Sequence, residues 1–178
     1  MLYILPPIQG ISDLVLQIHA ERESVILDYE DGDIYQEARR LGSQIEGVGH
    51  VLLGFSIGGL IAFEIARLFP TNIEKIITYS TRTHIRYIPV TIHVYKKMLP
   101  FVPSSLFCFF YQKRHPSVSA IPKKHVFQRR LDSVFCYDIP PFPNTFWVKP
   151  VGLISFGLEI YEEDLLFSLS DTNQLSIE

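Results

Sequence analysis

Along the first 80 residues the apolar positions switch repeatedly between two periods. Leu2–Ile8 is a short apolar run closed by Pro6-Pro7 and followed by Gln9-Gly10, the pattern of a buried strand that ends in a loop. Ile11, Leu14, Val15 and Ile18 then recur at helical spacing. Ser24–Tyr29 (SVILDY) predicts a second buried strand, closed by the polar run EDGD. Ile34, Ala38, Leu41 and Ile45 share one face of a second helix, with Asp33 as its N-cap and Gly47 past its end. HVLLGF (His50–Phe55) predicts the next strand, IGGLIAFEIARLF (Ile57–Phe69) the next helix and Ile73–Ser80 the strand after it. Strands that alternate regularly with helices imply an α/β fold, a mostly parallel sheet with helices on both faces.

The alternation stops at Thr81. Prolines at 89, 100, 103, 116, 122, 140, 141 and 143 punctuate the next stretch, with aromatic clusters such as LFCFFY between them. Short helices broken by proline are the expected content. The strand-helix pattern resumes with Val151–Gly157 as a strand, YEEDLLFSL as a short helix and NQLSIE as a last strand. The chain of 178 residues therefore reads as one domain, residues 1–80 and 144–178 forming its core and 81–143 a proline-rich lid insertion. Prolines and the Lys96-Lys97 pair interrupt the apolar run from Tyr87 to Tyr111, so it is too short to span a bilayer.

Charge sharpens this division. Between Thr81 and Lys149 stand eleven Lys/Arg and two acids, a net +9, although the whole chain carries −3. Such a segment is either a solvated insertion or a surface for an acidic partner, an anionic membrane or an acidic carrier protein. It lacks the fold signals of a nucleic-acid reader. A hydrophobic fraction of 47% and mean hydropathy of +0.17 exclude a disordered chain. Two cysteines without metal spacing and no signal-peptide pattern lead to an expectation of a cytoplasmic protein with neither metal nor cofactor.

The candidate chemistry lies at Gly54-Phe55-Ser56-Ile57-Gly58, which fits G-x-S-x-G. In a nucleophile elbow a strand ends in a sharp turn that carries the serine, and a helix begins at once. Here VLLGF supplies the strand and GGLIAFEIARLF the helix, with Gly54 and Gly58 where side chains would collide and Gly59 completing the elbow. The helix N-terminus favours an oxyanion beside Ser56. The Ile57 N–H supplies one oxyanion donor, and Ile8 or Gln9, in the loop after the first strand, the second.

ILPPIQG and LLGFSIGGLIAFEIARLF together resemble the α/β-hydrolase superfamily. They are most similar to the thioesterase domains of fatty-acid, polyketide and non-ribosomal peptide synthases, with their P-I-x-G loop and G-[YF]-S-x-G-G-x-x-A-F-E-x-A motif. The resemblance covers residues 1–80 well and 144–178 weakly, and is absent between. It implies a serine hydrolase that cleaves an acyl ester or thioester, with Ser56 as nucleophile and a lid in the middle segment.

The rest of a triad is harder to place. The superfamily order is serine, acid, histidine. Glu159 falls just past the Val151–Phe156 strand, an accepted place for the acid, whereas the Tyr79-Ser80-Thr81 loop, where the synthase-type enzymes carry theirs, has no carboxylate. The six histidines are His19, His50, His84, His93, His115 and His125, so none stands after the last predicted strand, where the family has its base. His50 begins the Ser56 strand and belongs about 20 Å away at the other end of the sheet, at roughly 3.3 Å per residue. His84 follows the Ile73–Ser80 strand at the serine's own edge and is the candidate base; Asp138 is an unconventional alternative acid. The competing expectation is an inactive hydrolase-fold protein that binds an acyl ligand or a partner, or a shortened product of a catalytic parent.

Overall fold

The computed structural model describes residues 1–8, 10–30, 33–79, 81, 90–115, 121–137 and 145–148. Gln9, His84 and Asp138, together with Glu159 and the whole predicted strand-helix-strand run from Val151, lie outside the described residues.

Five parallel strands form one sheet in the order β2-β1-β3-β4-β5: β1 (Leu2–Leu5), β2 (Ser24–Ile26), β3 (His50–Phe55), β4 (Ile73–Tyr79) and β5 (Thr145–Val148). The predicted strands at Leu2–Ile8 and Ser24–Tyr29 are shorter than their apolar runs. The first stops where Pro6 and Pro7 have no N–H to give to a ladder. β5, paired to β4 from Ile76↔Thr145 to Tyr79↔Val148, precedes the strand that the sequence pattern suggested at Val151.

Period-two alternation distributes the core over both faces of the sheet. Ile4, Leu53 and Ile77 point to one face, where Val15 and Ile18 of α1 (Asp13–Glu21) cover them. Leu5, Leu52 and Ile76 point to the other, against α2 (Ile34–Gly42) and α3 (Ile57–Leu68). Asp33 caps α2 as its position predicts: Oδ1 accepts from Gln36 N at 2.8 Å, and the Gln36 side chain accepts from Asp33 N at 3.3 Å. α3 is buried from Ile57 to Ala66.

The chain leaves β1 towards β2 on one side and returns to β3 on the other. The β1/β3 junction is thus a topological switch point, whose carboxyl ends open a crevice.

The described residues of the middle segment form three helices, α4 (Val90–Met98), α5 (Ser104–Arg114) and α6 (Lys124–Cys136), with a 3-10 turn at Leu99–Phe101. Leu99, Phe107, Tyr111, Phe127 and Leu131 form their own core, in which the Phe107 ring lies 5.4 Å from Tyr111 and 5.5 Å from Phe127. Lys124 Nζ closes the turn, donating to the Pro100 and Val102 carbonyls at 3.0 and 2.6 Å.

Two contacts dock α6 on the sheet domain. Arg130 Nη2 donates to the Glu30 carbonyl at 2.8 Å, with the guanidinium 5.1 Å from the Tyr29 ring centre. Tyr137 donates its hydroxyl at 3.2 Å to Glu64 Oε1, a carboxylate buried in α3 whose Oε2 takes two bonds from Arg67 at 3.0 and 2.6 Å. A buried carboxylate needs these donors, because removing one leaves its oxygen desolvated and unpaired.

Tyr137→Phe is therefore expected to lower unfolding free energy by about 1–2 kcal/mol in urea titration, whereas Arg39→Lys on the exposed face of α2 changes it by under about 0.5 kcal/mol. Burial raises the phenol pKa of Tyr29, Tyr111 and Tyr137 above the ordinary value, with Asp28 and Glu64 adding to the effect at Tyr29 and Tyr137 respectively. A raised folded-state value means that the unfolded chain releases these protons first. Stability contributed by the three phenols is then complete below about pH 10 and falls above it, by up to about 1.4 kcal/mol per phenol per pH unit. Urea midpoints measured from pH 8 to 11.5 check this.

Candidate active site

Ser56 stands between the end of β3 and the first residue of α3 with φ 53° and ψ −113°, and it is the one non-glycine residue with positive φ among those described. A side chain at such angles costs roughly 1–3 kcal/mol, so the surroundings must hold the turn. Three hydrogen bonds do so. Ser56 N donates to the Tyr79 carbonyl at 2.8 Å, Gly59 N to the Ser56 carbonyl at 3.1 Å, and Thr81 Oγ1 to that same carbonyl at 3.0 Å. These bonds engage the serine backbone and not its hydroxyl.

The glycines let the helix approach the sheet. A Cβ on Gly54 would stand 2.5 Å from Gly59 Cα, and one on Gly58 would run into the Leu5 carbonyl at the end of β1. At Gly59 a Cβ would overlap the Thr81 side chain. The motif glycines thus bring the start of α3 onto the ends of β1 and β3 together.

That packing sets the two proposed oxyanion donors at one edge. Ile57 is the first residue of α3, where backbone N–H groups lack helical partners. β1 runs beside β3 with Leu5 opposite Gly54, so Pro6, Pro7 and Ile8 continue past the elbow. Gly10 N closes a turn on the Pro7 carbonyl at 2.9 Å, and the buried Tyr29 hydroxyl donates to the Pro6 carbonyl. Ile8 packs both on the sheet core and on the cluster of α4–α6, which places the helical layer against this loop.

The structure separates two histidines, His50 and His19, from the elbow. His50 pairs with Ile73 at the amino end of the sheet, its Nε2 at 2.7 Å from the Glu46 carbonyl and its ring edge-on to Tyr3. His19 ends α1 with Nδ1 at 3.0 Å from the Ser24 hydroxyl, at the same amino edge. His93 meets Phe135 edge-on at 4.6 Å within the helical layer, and His115 lies 5.0 Å from the Tyr111 ring. His84 and Glu159, the expected base and acid, are outside the described residues, whereas Ser56 is within them. Among the described residues no group of three or more His, Cys, Asp or Glu is placed to hold a metal ion.

Thr81 is the residue holding the elbow that sequence reasoning missed. A search for a carboxylate after β4 passes over a threonine, although the doubled glycine at 58–59 is a signal. One glycine clears β1; the second clears a side chain, and that side chain is Thr81.

No protein-family model matches the chain, and no curated protein matches it in sequence. Solved structures share its fold. One is a lipase-esterase related protein from Clostridium acetobutylicum ATCC 824 (TM-score 0.68, 10% identity, covering 96% of this chain and 93% of that one). A second is an esterase from Exiguobacterium antarcticum (TM-score 0.65, 14% identity, 95% and 91% covered). A third is a hydrolase from Pseudomonas aeruginosa PA01 (TM-score 0.60, 12% identity, 98% and 88% covered). At such identities the likeness is one of fold: the chain has an α/β-hydrolase-like fold, and its distant structural neighbours are esterases and hydrolases.

The elbow geometry makes opposite demands at neighbouring positions. Ser56→Gly relieves the positive φ and is expected to raise unfolding free energy by about 1 kcal/mol, net of the glycine's greater freedom when unfolded. Gly54→Ala forces backbone apart and is expected to lower it by about 3 kcal/mol or more. Equilibrium urea unfolding of the two variants decides both.

Proposed function

We propose that the protein is a serine hydrolase of the esterase or thioesterase type, with Ser56 as its nucleophile. The observation that carries this reading is the strained Ser56 backbone at the N-terminus of α3, with the hydroxyl unencumbered by the bonds that hold the turn. Strain persists where surroundings over-determine it, and such residues cluster at reactive sites. Two of the neighbours of like fold are an esterase and a lipase-esterase related protein, which suits the same serine chemistry.

In this reading Ser56 Oγ bonds to the acyl carbon while a base takes its proton. The carbonyl oxygen becomes an oxyanion held by Ile57 N–H and by the N–H of Ile8 or Gln9. The tetrahedral species collapses, the carbon–oxygen or carbon–sulfur bond breaks, and the base returns the proton to the departing alcohol or thiol. Water then repeats the sequence on the acyl-enzyme and frees the acid. His84 is the proposed base. Thr81 touches the Ser56 carbonyl at 3.0 Å, and His84 follows it by three residue steps, a reach of up to about 10 Å. Glu159 is the proposed acid, and the aromatic layer of α4–α6 beside Ile8 serves as the lid and suits an apolar acyl group.

A second reading, a non-catalytic protein that binds an acyl ligand through the same fold, is favoured by the lack of any histidine among residues 126–178. Labelling separates the two. A fluorophosphonate probe is expected to modify Ser56, found by peptide mass, and to leave Ser56→Ala unmodified. His84→Ala should slow p-nitrophenyl butyrate hydrolysis by about 10²–10⁴-fold. Absence of labelling at every pH from about 6 to 9, around the range in which a histidine base titrates, sinks the hydrolase reading.

A further inference from the structure

The helix α5 is apolar on two sides. Phe107 and Tyr111, four residues apart, turn inward to the core of the helical layer. Leu106, Phe109 and Phe110 turn outward, with Phe109 and Phe110 exposed by 62% and 57%. The helix before it repeats this arrangement: Val94 and Met98 on its outer face are followed by Phe101, at 86% exposure, in the turn between the two helices. Solvent-facing apolar stripes on two consecutive elements exceed the scattered apolar residues normal for a surface. Lys97, Lys113 and Lys123 are exposed around them, and no Asp or Glu occurs anywhere between Glu74 and Asp132.

We propose that the outer surface of α4 and α5 docks on an anionic lipid bilayer. The apolar side chains would enter the headgroup-acyl boundary while the lysines meet lipid phosphates, as an interfacial helix does. The 11 residues of α5 extend only about 16 Å, and no helix among the described residues is long and apolar enough to cross a membrane, so the segment lies on the surface. A fluid bilayer fits these residues better than an acidic protein does. Phe101 stands clear of the fold at the tip of a turn, where it can enter a deformable medium without a shaped pocket. An acidic protein would need an apolar patch shaped to both stripes as well as its acids, whereas a bilayer offers both without a fixed shape. Because Ile8, one strand-end from Ser56, packs on the same helical layer, docking would bring the elbow edge close to membrane-borne molecules. The proposal does not depend on hydrolysis, and Ser56→Ala is expected to bind as the native chain does.

Flotation with vesicles of phosphatidylcholine and phosphatidylglycerol, compared with phosphatidylcholine alone, tests it on the full chain. Binding to the anionic vesicles is expected, weakened about tenfold or more by the double variant Phe109→Ser/Phe110→Ser. Lys97→Gln/Lys113→Gln/Lys123→Gln should weaken it by about a hundredfold at low salt, from about 1 kcal/mol per lysine. All these side chains are exposed, so circular dichroism and urea midpoints should stay near those of the native chain. Equal binding to neutral and anionic vesicles, binding unaffected by the phenylalanine variant, or no binding by the native chain would overturn the proposal. So would a dimer in sedimentation equilibrium that Phe109→Ser/Phe110→Ser dissolves, because a second copy would then be the partner of this face.

Discussion

The close approach of α3 to the ends of β1 and β3 is the constraint on which the site depends. Three glycines permit it, since a methyl group on Gly54 or Gly58 would meet backbone that cannot move aside cheaply. With the helix start forced onto the sheet, the connecting residue has too little chain to turn in an ordinary conformation, and Ser56 takes the positive φ. The same approach sets the unpaired N–H groups of α3 beside the loop after β1. Strain and a field favourable to negative charge beside the serine thus come from one packing arrangement, not two separate devices.

The helical layer depends on this frame in a different way. Its own core is small and aromatic, and it reaches the sheet domain through Tyr137 and Val134 packed on the sheet core and through two polar contacts, Arg130 to the Glu30 carbonyl and Tyr137 to the buried Glu64. Directional bonds of this kind fix where α6 sits more sharply than apolar packing would. Glu64 is two turns along α3 from the elbow, so it has a structural partner on each carboxylate oxygen and no route to the serine. An acidic residue in the elbow helix invites a catalytic reading. Its bonds to Tyr137 and Arg67 instead make it the anchor of the neighbouring layer.

How much of this was legible in the sequence varied with the kind of signal. The switch between period two and helical spacing marked β1 through β4 and α1 through α3, because each buries an apolar face against a neighbour within the same 80 residues. Strand ends were less legible, since Tyr29 is buried beyond the end of β2, and burial alone writes the apolar pattern. β5 was missed because TFWV is short and lies among prolines, and its strand character comes from pairing with β4. The serine was legible because its turn needs glycines at fixed offsets. Thr81 was not, because its role depends on where the chain goes after β4, which no local pattern encodes.

The two faces of α5 follow from one further consideration. A helix whose apolar residues surround it carries no amphipathic preference, so its orientation is set by whichever side finds the better-packed partner. Phe107 and Tyr111 settle that here, because Phe127 offers their rings edge and tilted contacts at 5.5 and 5.7 Å. Leu106, Phe109 and Phe110 are then left outward by geometry, three and four residues apart on one stripe. A chain under no demand but solubility would carry polar residues at those positions at little cost to the inner core. Retaining phenylalanines there, within a stretch free of carboxylates, makes the outer stripe a feature that packing alone does not require.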